Sequence, residues 1–253
     1  MRVQYIHLHH TDSTNRYVAE LSLSPDTDLL VVDADYQTAG RGQGTNTWES
    51  EEGSNLLFSV LCCPHGVQAD CQYVLSMAGA LALHDALSSF PDTHAYADGF
   101  SLKWPNDVYY RDYKVSGTLI QTSLHQHSVR RFIWGVGINV NQQQFRSDAP
   151  NPMSLCNIVG HELDRQQLLE HIVSCLISRL SQVEHGEHDA VSDEYHSVLY
   201  RREGWHTYRD AGGLFSARIL GVRRDGALML ADTEGRTREY AFKEVEYVIQ
   251  EKL

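Results

Sequence analysis

A fifteen-residue run at positions 103–117, KWPNDVYYRDYKVSG, constrains this chain most, because it places a stiff polar turn directly before an apolar strand. Pro105 has a fixed φ and favours an extended residue before it, so Asn106 and Asp107 leave the preceding segment at a defined angle. Lys114 follows Asp107 by seven residues and opens a run that predicts a buried strand. If it faces a pocket, its ammonium group is a fixed positive charge that can meet a carboxylate or a phosphate.

A second distinctive segment is glycine-rich. Residues 36–48, YQTAGRGQGTNTW, place small residues on both sides of Arg41. Such a segment predicts a mobile loop that can lay backbone N–H groups and a guanidinium against a phosphate. It is not a Walker loop, because its spacing differs and the final Lys-Ser/Thr pair is missing. The pattern indicates either a phosphate-facing loop or an ordinary turn.

Two shorter segments add polar groups and glycines. Residues 12–15, DSTN, precede an apolar stretch and predict a helix capped by Asp12 or Ser13, with free backbone donors in its first turn. An ordinary capped helix is the commoner explanation of such a tetrapeptide, and both interpretations can hold together. Residues 131–141, RFIWGVGINVN, predict a strand with two glycines, which are costly there unless another group approaches closely. A bulged core strand is the alternative.

In their order and spacing, these four segments strongly resemble those of the biotin protein ligases. Members of that family make biotinyl-AMP from biotin and ATP and then attach biotin to a lysine of a carrier domain. The resemblance implies an α/β (α+β) fold, with a mixed-sheet catalytic domain of the biotin/lipoate ligase type and a small C-terminal SH3-like β-barrel. It also implies ATP with its Mg²⁺ as co-substrate, biotin as substrate and a biotin carboxyl carrier domain as partner.

The resemblance also assigns roles to individual residues. The implied biotin-binding residues are Ser13, Thr14, Asn15, Gln37, Arg41, Gly42, Gln43, Lys114 and Gly117. The implied ATP-binding residues are Arg41, Trp48, Lys103, Asn106 and Asn139. The implied catalytic residues are Lys114, Arg41 and Asp107. Asp107 as the group that orients or deprotonates the acceptor lysine is a hypothesis, and Leu119, Trp134 and Val136 are the expected apolar wall of the biotin pocket.

The chain departs from the family pattern in the glycine-rich loop. Many members carry further arginines after Gly-Arg-Gly, whereas this chain has Gln43 where the second loop arginine would stand. A neutral amide cannot make the same charge-assisted contact, whose loss is worth about 1–3 kcal/mol. We therefore expect either looser retention of biotinyl-AMP or a substitute cation from elsewhere. Residues 38–48 are expected to be disordered without ligand and to close when it binds.

The rest of the chain alternates strands and helices until its last fifty or so residues. Hydrophobic patterns predict a cluster of short strands after Trp205, with a hairpin at Asp225-Gly226, so we place catalytic and barrel domains at residues 1–202 and 203–253. The predicted strands before that boundary are 29–36, 55–61, 114–124 and 131–139, and the predicted helices are 73–90 and 166–183. The predicted strands after it are 214–222, 227–231, 237–242 and 245–249.

Composition argues against several other functions. The net charge is −12 with histidine neutral and no basic block is present, which disfavours nucleic-acid binding. The DSTN segment begins after only eleven residues, so the sequence resembles the monofunctional ligases without an N-terminal helix-turn-helix domain. No apolar run approaches the roughly 20 residues of a membrane span, and no signal peptide is evident, so we expect a cytoplasmic protein.

Metal and disulfide sites are not expected either. The five cysteines form no Cys-x-x-Cys pair. Among fourteen histidines, His7, His9 and His10 lie on one short extended piece without matching ligands close by in sequence, so no resident metal is predicted there.

Two functional alternatives remain. A lipoate ligase shares the fold and chemistry, although its characteristic Arg-Arg-x-Ser-Gly-Gly-Gly loop is absent. A non-catalytic biotin-binding protein would be favoured by loss of Lys114 or Arg41, and both are present. The sequence does not distinguish a homodimer from a monomer.

Overall fold

The computed structural model describes residues 1–44, 46–146 and 151–249, and two sheets organise it. The larger is a seven-stranded mixed sheet in the order β1-β2-β3-β7-β6-β5-β4. Its strands are β1 (Val3–Thr11), β2 (Leu29–Gln37), β3 (Leu56–Cys62), β4 (Phe100–Lys103), β5 (Asp107–Tyr110), β6 (Tyr113–His125) and β7 (Ser128–Ile138). Only the β1–β2 pair is parallel; the other neighbours in this sheet are antiparallel.

One face of this sheet is covered by helices. The α-helices among the described residues are α1 (Thr14–Ala19), α2 (Tyr73–Ser89), α3 (Leu155–Val159), α4 (Arg165–Glu184) and α5 (His188–Ser197), of which α1 lies on the opposite face. Helix α2 is apolar nearly all round because it packs between the sheet and helices α4 and α5. Helix α4 begins at Asp164, whose carboxylate accepts hydrogen bonds from the backbone N–H groups of Gln166 and Gln167.

The other face of the sheet carries a smaller apolar cluster beneath helix α1. Val18 of that helix packs there with Leu30, Leu61 and Ile133 of the central strands. Side chains alternate across a strand, so the residues next to Ile133 on strand β7 point to the face covered by helix α2. Gly135 and Gly137 lie on the same face of the sheet as Ile133 and helix α1. Those two glycines leave an open area beside helix α1.

The C-terminal part forms a separate antiparallel sheet in the order β11-β10-β9-β8-β12. Its strands are β8 (His206–Asp210), β9 (Gly213–Val222), β10 (Leu228–Asp232), β11 (Thr237–Tyr240) and β12 (Glu246–Tyr247). Gly226, with φ 92°, lies in the tight connection between β9 and β10, where the hairpin was predicted. No pairing among the described residues joins β11 to β12, so the expected barrel is observed as a five-stranded sheet.

The predicted α/β class is confirmed, and the predicted long strands and helices are present with ends shifted by up to three residues. The sequence reasoning missed strands β1, β4, β5 and β8 and helices α3 and α5. At the C-terminus the predicted strand 245–249 is reduced to two paired residues, and positions 250–253 of the predicted second domain lie outside the described residues. No helix in the described part of the chain is long and apolar enough to cross a membrane.

Candidate active site

A large cleft opens over the glycine-bearing face of strands β6 and β7, with a volume of about 1000 Å³. All residues predicted to bind biotin or ATP through directed contacts or to act in catalysis line it: Ser13, Thr14, Asn15, Gln37, Arg41, Gly42, Gln43, Trp48, Lys103, Asn106, Asp107, Lys114, Gly117 and Asn139. These residues come from segments more than 100 positions apart in the sequence, and the fold gathers them at one place.

The floor of the cleft exists because three strand positions lack side chains. A Cβ atom at Gly117 would lie 2.7 Å from the Trp48 indole, and one at Gly137 would come closer still to the same ring. At Gly135 a Cβ would overlap the side-chain amide of Asn15. Only glycine lets these groups approach the backbone so closely, which accounts for the two glycines that interrupt strand β7.

At one end of the cleft, a buried polar network surrounds the start of helix α1. The Gln37 Oε1 atom accepts hydrogen bonds from the Thr14 backbone N–H at 2.7 Å and from the Thr14 hydroxyl at 3.0 Å. The Ser59 hydroxyl lies 2.7 Å from Thr14 Oγ1 and 2.5 Å from Asn15 Oδ1. Asn15 also donates to the carbonyl of Leu119 at 3.1 Å. All of these polar side chains except Gln37 are buried, and the hydrogen bonds both satisfy them and hold them in place.

Ser13 takes the N-cap position of helix α1, but its side chain makes no capping hydrogen bond. Asp12 instead accepts the Ser13 backbone N–H at 2.6 Å. Gln37 uses its oxygen for Thr14 and has no described acceptor for its Nε2 group. The Ser13 hydroxyl and the Gln37 amide are therefore directed polar groups that a ligand can use.

The middle of the cleft contains an ion pair from strands β5 and β6. Lys114 Nζ lies 2.6 Å from Asp107 Oδ2, with the two side chains 31% and 18% exposed. The Lys114 backbone is fixed as well, because its N–H donates to Asn151 O at 2.7 Å and its carbonyl accepts from Met153 N at 2.9 Å. The ammonium group therefore has a defined position and remains open to the cleft.

Two further residues support this region. Asn139 is buried, and its side-chain N–H groups point to the carbonyls of Lys114 at 3.5 Å and Met153 at 3.3 Å. Asn106 is also buried, and it donates to Ser76 Oγ at 3.3 Å. Both amides thus use their nitrogen atoms within the protein and keep their side-chain oxygens as acceptors.

Lys103 lies at the opposite end, between aromatic rings from the two sheets. Its Nζ atom is 5.5 Å from the ring centre of Tyr109 and 4.7 Å from that of Tyr247. Burial lowers the pKa of Lys103 below its usual value, while the carboxylate of Asp107 acts in the opposite direction. The cation is thus held by ring faces at the boundary with the C-terminal sheet.

The glycine-rich loop forms a narrow turn above the cleft. Gly42 N–H donates to Asn46 O at 2.8 Å, and Trp48 N–H donates to Gly40 O at 3.1 Å. The Trp48 indole lies over the glycine floor, and its buried Nε1–H has no described partner. Such an unsatisfied buried donor is uncommon and is available to a ligand. Thr45, at the tip of the loop, lies outside the described residues.

The predicted apolar wall of the biotin pocket is partly wrong. Trp134 was expected in the biotin wall, but it is fully buried on the helical face, where Gly79 of helix α2 leaves room for its indole and Phe58 meets it edge to face at 5.7 Å. Its neighbour Gly135 faces the cleft instead, because adjacent strand residues point to opposite faces. Leu119 lines the cleft. Val136 borders it too, but its side chain packs in the helical-face core with Trp134, because it alternates with Gly135 and Gly137 along the strand.

Sequence reasoning also missed several cleft residues. Ser59 is the one polar residue of the run Leu56–Cys62, a sequence signal that was available. The C-terminal sheet and the segment that follows strand β11 contribute a second group of lining residues, for which no local signal exists: Phe242, Lys243, Val245, Glu246, Tyr247 and Ile249.

Comparison with known proteins agrees with this geometry. Residues 8–139, just over half of the chain, match the model of the biotin/lipoate A/B protein ligase family. The chain belongs to this family. The matched residues include the polar network, the glycine-rich loop, the Lys114–Asp107 pair and the glycine floor.

Individual relatives extend the likeness beyond the matched segment. The bifunctional ligase/repressor BirA of Bacillus subtilis is 28% identical over 244 residues, which cover 90% of this chain and 70% of that protein. The biotin–acetyl-CoA-carboxylase ligase of Mycobacterium tuberculosis is 31% identical over 173 residues, 68% of this chain and 62% of that protein. A biotin protein ligase from Aquifex aeolicus, solved with biotin and ATP, superposes with a TM-score of 0.77 at 26% identity, over 96% of this chain and 99% of that one.

The buried network of this family member yields a first prediction. Ser59→Ala should lower the free energy of unfolding by about 1–3 kcal/mol, because Thr14 and Asn15 lose a buried hydrogen-bond partner. Urea denaturation measures this change. The control is Ser123→Ala on the exposed end of strand β6, which should shift stability by less than about 0.5 kcal/mol. Equal stability of the two variants would contradict the network.

Proposed function

We propose that this chain is an ATP-dependent biotin protein ligase, which forms biotinyl-AMP and transfers biotin to a lysine of a biotin carboxyl carrier domain. The observation that carries the proposal is the position of the Lys114 ammonium, open to the cleft between the polar network and the glycine-rich loop. Relatives named as biotin ligases support biotin as the acid.

The first step joins two anions. A carboxylate oxygen of biotin attacks the α-phosphorus of ATP, the bond from that phosphorus to the pyrophosphate oxygen breaks, and pyrophosphate leaves. Lys114 lies where it can contact the carboxylate and the α-phosphate, and Arg41 approaches from the loop. Their attraction offsets the repulsion between the reactants and grows as charge develops in the transition state.

The second step transfers the acyl group. The amine of the acceptor lysine attacks the acyl carbon, AMP leaves, and the amine loses a proton. We assign Asp107 to orient that amine or accept its proton, because it is a carboxylate in the cleft next to the proposed reaction centre.

The nucleotide occupies the end of the cleft near the C-terminal sheet in this proposal. Lys103 and Trp48 offer a cation and an indole N–H to it. Mg²⁺ enters with ATP as part of the substrate, and it prefers oxygen ligands. Asn139 and Asn106 fit that requirement, because their nitrogens are engaged within the protein and their oxygens are free of described donors.

Biotin occupies the end near helix α1. Its ring system meets the directed polar groups of Ser13, Thr14, Asn15 and Gln37, with Leu119 as apolar wall. Closure of the loop over the anhydride then excludes water.

Transfer of labelled biotin to a carrier domain in the presence of ATP tests this function. Lipoate and octanoate run beside biotin separate the proposal from the lipoate-ligase alternative. We expect the carrier to be labelled in the presence of ATP by biotin, and not by lipoate or octanoate. A protein that binds biotin but labels nothing would instead be the non-catalytic alternative.

We further propose that residues 1–202 form the catalytic domain and residues 203–253 a second domain, acting in the cytoplasm, where ATP is available. The two separate sheets support that division, and strand β8 begins soon after its boundary. Residues of the second domain, among them Lys243 and Tyr247, also line the cleft. The cleft residue Trp104 contacts that domain as well, because its Nε1 donates to the Gly226 carbonyl at 2.9 Å.

A further inference from the structure

The turn that follows strand β11 brings a lysine to the glycine-rich loop. Lys243 Nζ donates to the backbone carbonyl of Gln43 at 2.9 Å, a contact between residues 200 positions apart. The same ammonium lies against Gly44, where an added Cβ would come within 2.7 Å of it. The loop and the C-terminal sheet therefore meet at this lysine, on the rim of the cleft.

The backbone of Lys243 is unusual as well. Its φ is 71°, in the left-handed region that bulky residues seldom adopt. The turn is closed by Glu244 N–H to Ala241 O at 3.1 Å and by Ala241 N–H to the Glu244 carboxylate at 2.7 Å. Glycine would suit this position better for the backbone alone, so a lysine there indicates a use for its side chain.

The positive charge of Lys243 also has no carboxylate partner among the described residues. Lys114 is paired with Asp107, and Lys103 is held between aromatic rings. Lys243 forms no ion pair with any other residue in the described ranges, and its side-chain hydrogen bond ends on a neutral carbonyl. A cation held at the rim without a counter-charge can attract a phosphate.

We propose that Lys243 supplies, from the C-terminal sheet, the second cation of the glycine-rich loop and binds the phosphate of the adenylate beneath it. The inference rests on the proposed function and deepens it. Gln43, which stands where a loop arginine was expected, contributes its carbonyl to hold the substituting lysine in place. The cation is thus supplied from outside the loop.

Release of biotinyl-AMP from the full-length chain tests this role. Lys243→Gln should release the preformed intermediate about tenfold faster, which corresponds to loss of one charge-assisted contact. Lys243→Arg should retain it. Adding Gln43→Arg to Lys243→Gln should restore slow release, because the positive charge is then carried by residue 43 of the loop instead of residue 243.

A glycine variant separates charge from backbone strain. Lys243→Gly should be at least as stable as wild type, since its φ is no longer strained, and yet should release the intermediate as fast as Lys243→Gln. Retention by Lys243→Gln equal to wild type would overturn the inference alone. Failure of wild type to form biotinyl-AMP would overturn the proposed function together with it.

An independent cluster lies on strands β1 and β2, outside the cleft. The parallel register pairs His7 with Asp33, which places His9 and Asp35 on the same face. His7 Nδ1 lies 2.7 Å from Asp33 Oδ2, while His7 Nε2 and His9 Nδ1 lie 3.3 and 3.2 Å from Asp35 Oδ2. The three potential ligand atoms are all within 4.8 Å of one another.

We infer that His7, His9 and Asp35 bind a divalent transition metal such as Zn²⁺ or Ni²⁺. Asp33 favours the proton of neutral His7 on Nδ1, which leaves the Nε2 lone pair for a metal, the usual arrangement of a histidine ligand backed by a carboxylate. Imidazole nitrogens with one carboxylate suit this class of metals.

Calorimetric titration of Zn²⁺ into the full-length chain tests the site. We expect saturable binding that His9→Ala and Asp35→Asn each weaken at least about tenfold. His10→Ala is the matched control, because its ring points to the opposite face and contacts Glu52 at 2.6 Å. Equal affinity of wild type and the His9 variant would overturn the assignment.

Discussion

Replacing Lys114 with alanine should lower biotin-dependent pyrophosphate exchange by about 10²–10³-fold, because the cation that offsets the meeting of two anions is lost. The fold should survive, since a partly exposed ion pair contributes little to stability, roughly 1 kcal/mol or less. Initial exchange rates at saturating ATP and biotin measure the first effect, and thermal unfolding the second.

The variant also leaves Asp107 without its partner, so a second variant is needed. Lys114→Ala combined with Asp107→Asn removes the unpaired negative charge but does not restore the cation. We expect the double variant to recover only a small part of the lost exchange. Full recovery would show that the defect came from the exposed carboxylate and that Lys114 does not act on the reactants.

Adding one methyl group to the floor of the cleft should have the second largest effect. In Gly135→Ala the new Cβ would overlap the Asn15 side chain, which is buried and hydrogen-bonded on two sides. Overpacking of this kind costs about 1–3 kcal/mol of stability. We expect biotin binding to weaken at least about tenfold, because both the floor and a directed polar group move.

Gly212→Ala is the control for this substitution. That glycine lies in a turn of the C-terminal sheet, and its nearest potential contact is the Asp210 carboxylate at 3.2 Å. Equilibrium binding of biotin should be unchanged in this variant. Unchanged biotin affinity in Gly135→Ala would contradict the placement of biotin near helix α1.

The sequence predicted those cleft residues that lie in short segments with a recognisable local pattern. The turn at Asp107, the lysine seven residues later and the glycines of strand β7 carry their own local signals, and each lies in the cleft. Local signals also placed the long helices, because α4 has apolar residues at helical intervals and α2 is a long run of mostly apolar residues.

The rest depends on contacts between distant segments. Nothing near Lys243 in sequence indicates that it meets a loop 200 positions away. The register of strands β1 and β2, which brings Asp33 and Asp35 to the histidines, is set by pairing across intervening helix α1. Trp134 was misassigned for a different reason, because a strand with apolar residues on both faces does not reveal which face meets the ligand.

In the proposed function, Lys114 lies where a carboxylate meets the α-phosphate of ATP in this cleft. Exchange of labelled pyrophosphate into ATP by the purified full-length chain, with biotin, with lipoate and with no acid, tests it most directly. We expect exchange that requires biotin and is largely lost in Lys114→Ala. Exchange that stays at background with biotin, or that proceeds equally well without Lys114, would contradict it.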